Sequence, residues 1–211
     1  MIAPPIAPKL PVQLDVWTEE QETVVEIDRV LVRDADLSNV TRIFVDSSRL
    51  ENIVLTGAAL DKSELTDVEG DRLEAAAVRA YKANLLRIRF ADCRFTGAEF
   101  AEAYFEDCVF KNGKFDQAGF RFASFKRVRF ENCILRQADF SHAKFTHVAF
   151  VGCDLDNSNF AAANCSNVDI STEDITKAHG ILGLKGATIS NEQLIQLAPL
   201  LALELGFHIV E

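Results

Sequence analysis

The chain has 211 residues, a formal net charge of −10, 16 Phe, five Cys and a single Trp. That length supports one domain or one elongated solenoid with a real core. No 18-residue apolar run suggests a membrane span, and the acidic balance is a poor footprint for direct nucleic-acid binding.

Met1 to Pro11 carries Pro4, Pro5, Pro8 and Pro11 but no basic segment followed by an apolar one, so it does not read as a secretory signal. Residues 1–24 are expected to form an extended arm and cap, with the arm disordered or lying along the first coil. Trp17 is expected to plug the open N-terminal end of the core. From residue 25 a five-residue register begins with Val25-Glu26-Ile27, Val30-Leu31-Val32 and Ala35-Asp36-Leu37. It breaks over 41–49 and resumes with Leu50, Leu55, Leu60 and Leu65, a slip that a bulge at a corner can absorb. Residues 66–84 are weak, because Gly70, Ala75 and Ala80 stand where large residues belong. Asp71 to Tyr81 is rich in good helix formers. Either a short helix leaves the coil here, or the coil slips and uses Leu73 and Val78 as core; the slipped coil is the favoured expectation.

From Leu85 to Phe160 every fifth residue is large and apolar. Phe90, Phe95, Phe100, Phe105, Phe110, Phe115, Phe120, Phe125 and Phe130 come first, then Leu135, Phe140, Phe145, Phe150, Leu155 and Phe160. Two residues before each is nearly always a small one, such as Ala83, Cys93, Ala98 and Ala103; the column of Ile88, Cys108, Val128 and Val148 is the bulkiest. Five residues of α-helix rotate by about 500° and make no stripe, and a straight strand puts position five on the wrong side. The repeat returns inward only if the chain turns a corner once per pentad. Four corners close a coil of about 20 residues, a repeat length in the solenoid range. The columns agree: Ala83, Ala103, Ala123, Ala143 and Ala163 recur at 20, as do Cys93, Gly113, Cys133 and Cys153. The expected fold is an all-β solenoid, a right-handed quadrilateral parallel β-helix over 25–189 with a C-terminal α-helical cap; the hand follows from the crossover rule.

Ala35-Asp36-Leu37-Ser38-Asn39 and Ala138-Asp139-Phe140-Ser141-His142 follow a pattern of small residue, Asp or Asn, Leu or Phe, then two polar residues. In this the chain resembles the pentapeptide-repeat family over roughly residues 25 to 189. A filled rod is not expected to offer a cleft, so the expectation is a non-enzymatic protein. The resemblance extends to members that protect DNA gyrase from quinolones as acidic, DNA-like rods joined at their C-terminal ends. It therefore implies DNA gyrase as an alternative partner. The uninterrupted ladder lacks the loop insertion of the plasmid-borne members.

Beyond Val168-Asp169-Ile170 the ladder proper ends. Gly180, Gly183 and Gly186 interrupt it, and Ala187-Thr188-Ile189 looks like one last pentad. Residues 190–211 are expected to form a cap. Ser190 with Gln193 makes a capping box, and Leu194, Leu197, Leu201 and Leu205 form an amphipathic stripe. Pro199 should kink or split this helix, Gly206 should stop it, and Phe207 to Val210 has the look of a short strand. A solenoid's last coil exposes unpaired backbone and must be covered. The apolar content here exceeds that need, so the four stripe leucines are the expected interface of a homodimer.

The candidate chemistry is thin. Cys93, Cys108, Cys133 and Cys153 fall on the small inward position and Cys165 on the large one, which reads as buried apolar packing and suits a reducing cytoplasm. His142 and His147 face solvent without a nucleophile partner. The Gly180–Gly186 run lacks the Ser or Thr of a phosphate loop and reads as a turn. No catalytic, metal or cofactor residue is expected. Residues 1–75 hold 16 acids and 7 bases, whereas 76–170 hold 11 acids and 13 bases. Within the latter, Arg121, Lys126, Arg127, Arg129 and Arg136 form a basic cluster and a candidate interaction surface. The expectation is a cytoplasmic scaffold for an unidentified protein partner, without direct nucleic-acid or membrane contact.

Overall fold

In a computed structural model, which describes residues 2–16, 23–171 and 173–208, each pentad is an extended segment closed by one left-handed corner. The corner residue lies two after the large inward one. From Ser47 to Asn167 every fifth residue has φ between 47° and 73°, and only Gly57, Gly97 and Gly152 among them are glycine. L-residues pay for that region, Asn and Asp least, so the corner is imposed by the core on either side of it.

Turning at each pentad stacks the chain on itself. The strands are β1 (Asp15–Val16), β2 (Val24–Asp28), β3 (Val30–Arg33), β4 (Arg42–Asp46), β5 (Arg49–Glu51), β6 (Glu64–Asp71), β7 (Asn84–Ala91), β8 (Tyr104–Lys111), β9 (Ser124–Glu131), β10 (Lys144–Val151), β11 (Asn164–Asp169) and β12 (Ala187–Thr188). All pairings between them are parallel. β2 and β4 lead into one half of β6, and β3 and β5 into the other. From β6 to β10 each eight-residue strand runs around a corner and serves two faces. The other two faces are columns of single bridges, such as Val54, Glu74, Arg94, Lys114, Ile134 and Asp154. The result is a right-handed quadrilateral parallel β-helix of about eight turns with a C-terminal helix.

The predicted Phe core is the core. Phe90 through Phe150 at their five-residue spacing are all buried, and rings one coil apart stack. Phe105 lies 4.9 Å from Phe125, Phe120 lies 5.0 Å from Phe140, and Phe130 lies 5.2 Å from Phe150, with interplanar angles of 4–6°. Rings on neighbouring faces meet edge to face, as Phe120 meets Phe125 at 64°. Both geometries suit the aromatic quadrupole. Each buried ring contributes about 2–3 kcal/mol by transfer from water.

Residues 66–84 neither leave the coil nor slip. Leu65 pairs with Leu85, Gly70 with Phe90 and Glu74 with Arg94, each one regular coil on. Instead the two inward positions trade sizes. Val68, Leu73 and Val78 fill the usually small position, while Gly70, Ala75 and Ala80 take the large one. Leu73 and Val78 are thus core, as the slipped coil required, but in an unslipped register. The exchange fills space incompletely. A cavity of about 50 Å³ remains between Leu50, Leu55, Leu65, Ala75, Ala80 and the first Phe rings. Phe90 leans into it, so that a Cβ on Gly70 would sit 2.6 Å from its ring, and Phe90 therefore meets Phe110 at 61° instead of stacking.

The register breaks between Val40 and Ile43, successive inward residues that stand three apart instead of five. Val24 pairs with Arg42, 18 residues on, and the inward residues Leu37 and Val45 are eight apart. Val40 still holds the regular inward place, its amide donating to the Leu37 carbonyl, so the shortened side is Thr41–Arg42, and the pentads are regular from Ile43. At the other end the inward register runs past Ile170 to Ile175 and Ala178. The last expected pentad is present, with β12 pairing β11. Helix α1 (Asn191–Glu204) carries the predicted capping box and runs through Pro199 as one element, neither broken nor split into two. Gly206, at φ 80°, ends it, with the Phe207 amide donating to the Ala202 carbonyl at 2.8 Å as in a Schellman turn. Phe207 and His208 are not in a strand. Val210 and Trp17, with their expected roles, lie outside the described residues.

Candidate interaction surfaces

The corner inside β6 to β9 is held by charge. Its corner residues are Asp67, Arg87, Asp107 and Arg127, one per coil and alternating in sign. Arg87 donates to both oxygens of Asp67 at 2.6 and 2.7 Å. Arg127 donates to both oxygens of Asp107 at 2.7 Å. Such two-pronged pairs are the strong form of ion pair. Both carboxylates are covered, Asp67 to 6% and Asp107 to 2% exposure.

The N-terminal arm is what covers them. The Lys9 amide donates to Asp67 Oδ1 at 2.8 Å and the Ile6 amide to Asp107 Oδ1 at 3.0 Å. The arm therefore lies along this corner, antiparallel to the growth of the solenoid and well beyond its first coil. Burial raises the Asp107 pKa, but the hydrogen bonds from Arg127 and the Ile6 amide outweigh it and hold the carboxyl below its usual range. Asp67 behaves alike through Arg87 and the Lys9 amide. Beside them, burial opposes the charge on Glu106, while hydrogen bonds from Lys126, Tyr104 and Arg127 bring its pKa down to about 2.

The five bases singled out as a cluster do not make one patch. Lys126 and Arg127 come together on Glu106. Arg129 pairs with Glu131. Arg136 reaches Asp154 at 2.6 Å on another face, and Arg121 approaches Asp139 at 3.9 Å on a third. Each base therefore carries an acid. The exposed carboxylates Glu26, Asp28, Asp46 and Glu64 instead share one face of the first coils, where Arg29 lies 3.7 Å from Asp28.

The C-terminal end is built as a lid. Gly180 and Gly183 let the short 3₁₀ turn Ile181–Leu184 press on the coil below; a Cβ on Gly183 would fall 1.9 Å from the Phe160 carbonyl oxygen. This is the expected turn into the cap. Gln193 then closes the last coil. Its side-chain amide donates to the carbonyls of Ile170 and Glu173 at 2.7 and 2.6 Å, while its Oε1 accepts from the Ser190 amide. Of the four stripe leucines, Leu197 is buried and Leu201 half-buried against the solenoid, whereas Leu194 and Leu205 are exposed. Ile195, Leu203 and Phe207 are exposed with them, at 62–76%.

The remaining candidates for chemistry are packing groups. All five cysteines are free. Burial pushes Cys93 up to about 12 and Cys165 to about 11, away from the thiolate that reacts. Cys133 and Cys108 lie against backbone carbonyls, at 3.3 and 3.4 Å. His142 stacks on Phe122 with centroids 4.7 Å apart, and His147 meets the Asn167 amide at 2.6 Å. Among the described residues no group of three or more metal-ligating side chains converges, and no helix is long and apolar enough to cross a membrane.

Filled pentad coils closed by one corner per five residues define a class, the four-sided repeat solenoids. Residues 83–160 and 123–179 match the family described as the pentapeptide repeat region, and the chain is a pentapeptide-repeat protein. Among solved structures it is similar to full-length QnrB1, a plasmid-mediated fluoroquinolone resistance protein, at 16% identity and TM-score 0.41, covering 87% of this chain and 100% of that one. It is also similar to HetL, a pentapeptide repeat protein involved in heterocyst differentiation regulation from the cyanobacterium Nostoc sp. strain PCC 7120, at 15% identity and TM-score 0.40, covering 82% and 92%. Rfr23 from the cyanobacterium Cyanothece 51142 follows at 11% identity and TM-score 0.21, covering 64% and 93%. No curated protein matches the chain.

Proposed function

We propose that the protein is a non-enzymatic interaction scaffold, a rigid cytoplasmic rod holding side chains at fixed lattice positions for a protein partner, and that two copies join through the C-terminal end. The carrying observation is the exposed apolar set Leu194, Ile195, Leu203, Leu205 and Phe207, on an element whose Gln193 and Leu197 already close the solenoid. A cap needs its inner face only, and an outer apolar face on a small protein suits a self-complementary contact. A protein partner is preferred to nucleic acid because every base of the central cluster is paired with an acid. Light scattering on the full chain is expected to give twice the 23.4 kDa mass, and Leu194→Glu with Leu205→Glu to give the single mass with an unchanged circular dichroism spectrum. A single mass for the unaltered chain at tens of micromolar overturns the pairing.

A second reading, DNA mimicry directed at DNA gyrase, draws on the acidic face of Glu26, Asp28, Asp46 and Glu64. In a dimer joined at the C-terminal ends, these carboxylates stand at the two distal tips. The assay is supercoiling by purified gyrase, titrated with the protein in the presence and absence of ciprofloxacin. Inhibition or drug protection at micromolar levels, lost on changing the four acids to lysine, supports this reading. No effect removes it.

A further inference from the structure

The arm is periodic. Ile2, Pro5, Pro8 and Pro11 are half-buried, and the residues between them are exposed except Leu10. One contact every third residue is the face of a polyproline II helix, which has three residues per turn and rises about 3.1 Å per residue. The two anchored amides, Ile6 and Lys9, are also three residues apart, so about 9.3 Å separates them along such a helix. Their acceptors, Asp67 and Asp107, are two coils apart, about 9.6 Å at the usual strand spacing of about 4.8 Å. The two lattices coincide because the corner alternates in sign. With Arg87 between them, the acceptors fall on every second coil, at the pitch of the peptide. Four consecutive acids would repel one another and offer acceptors at half that pitch. Arg87 and Arg127 clamp both oxygens of their acids, so each Oδ1 is aimed before a peptide arrives, which lowers the cost of ordering it.

We infer that this corner is a binding site for an extended proline-rich peptide, read through backbone N–H groups three residues apart, with the chain's own arm as its resident occupant. A partner segment of the same form competes with the arm for Asp67 and Asp107. The site is independent of the helical end and of any pairing there.

The test uses the full chain carrying Ile6→Pro and Lys9→Pro, which removes both donors and keeps the arm's extended form, and a fluorescent peptide covering residues 2–12. The peptide is expected to bind this chain saturably. It should bind the unaltered chain about tenfold or more weakly, because a tethered arm competes at an effective concentration of about a millimolar. The same two prolines placed in the peptide should abolish binding. Ala7→Pro in the peptide should not, since the Ala7 N–H makes neither bond. Equal binding by the doubly substituted peptide overturns the inference, because it would mean apolar adhesion without amide recognition. Absence of saturable binding to the variant chain, with its circular dichroism unchanged, overturns it as well.

Discussion

Phe130 has no solvent exposure and stacks between Phe110 and Phe150 at 5.1 and 5.2 Å. Removing its ring leaves a void that two neighbouring coils cannot close without breaking register. Phe130→Ala is therefore expected to cost about 3–5 kcal/mol, read from urea unfolding, and a loss under about 1 kcal/mol would contradict the stacked core. The opposite sign is expected at the corners. Ala77 and Ala162 hold φ of 53° and 55° with no side-chain group to compensate. Glycine tolerates that region freely, so either Ala→Gly change should raise stability by about 0.5–1 kcal/mol, measured as a higher urea midpoint. The Phe positions were legible in the sequence because burial selects one residue type at one spacing. The Asp67–Arg127 alternation was written there too, at every twentieth residue. It stood two places outside the inward columns, on a register that apolar periodicity does not mark.

At the scale of elements, the arm and the cap show where sequence reading ran short. Four prolines announce an extended segment but not its seat. The carboxylates that hold it lie 58 and 101 residues away, and only the closed coil brings them together. The capping box, by contrast, was legible because it is local, though not the second task of Gln193, whose amide reaches back 20 and 23 residues to the last coil. Gln193→Ala withdraws the donor from those two carbonyls. It should cost about 1–3 kcal/mol and speed proteolysis after residue 190. Global loss of fold in its place would assign Gln193 to the core and not to the lid. The arm carries a pH signature. Burial, and at Asp107 the charge of Glu106, raise these two carboxylate pKa values, but Arg87, the Lys9 amide and the Lys9 charge at Asp67, and Arg127 and the Ile6 amide at Asp107, hold both below their unfolded values. A depressed carboxylate stabilises fully above its unfolded value, about 4, and loses that contribution as pH falls through the folded value. Exchange of the Ile6 and Lys9 amides should thus be slow and flat from pH 7 to 5, after correction for intrinsic rate, and should lose protection below about pH 4. Protection that fades already near pH 6 would point to a different titrating group.

Along the whole molecule the core changes character where residues 66–84 trade sizes. Before that coil the inward residues are Leu, Ile and Val with a cavity at the junction. After it the large inward residues are Phe up to Phe160, save Leu135 and Leu155, and rings one coil apart stack from Phe95 on. In a solenoid each coil touches only its neighbours, so stability is approximately a sum of coil and interface contributions. The aliphatic coils bury less surface per pentad, begin with a shortened coil, and join the Phe ladder across an incompletely filled layer. Opening should therefore start at the N-terminal side and stop at the first complete Phe stack. Hydrogen exchange on the full chain is expected to show lower protection over residues 24–63 than over 104–151, with the step inside residues 64–91. Ala80→Leu, which adds apolar volume beside the cavity, should either move that step toward the N-terminus or, where the ring of Phe100 cannot yield, lower protection locally on both sides of it. Uniform protection from residue 24 to residue 160 would show instead that the arm, by bridging the coils of Asp67 and Asp107 through its two amide bonds, couples the two halves into one cooperative unit. The Ile6→Pro and Lys9→Pro chain separates these cases, since it removes the bridge and leaves both halves of the core untouched.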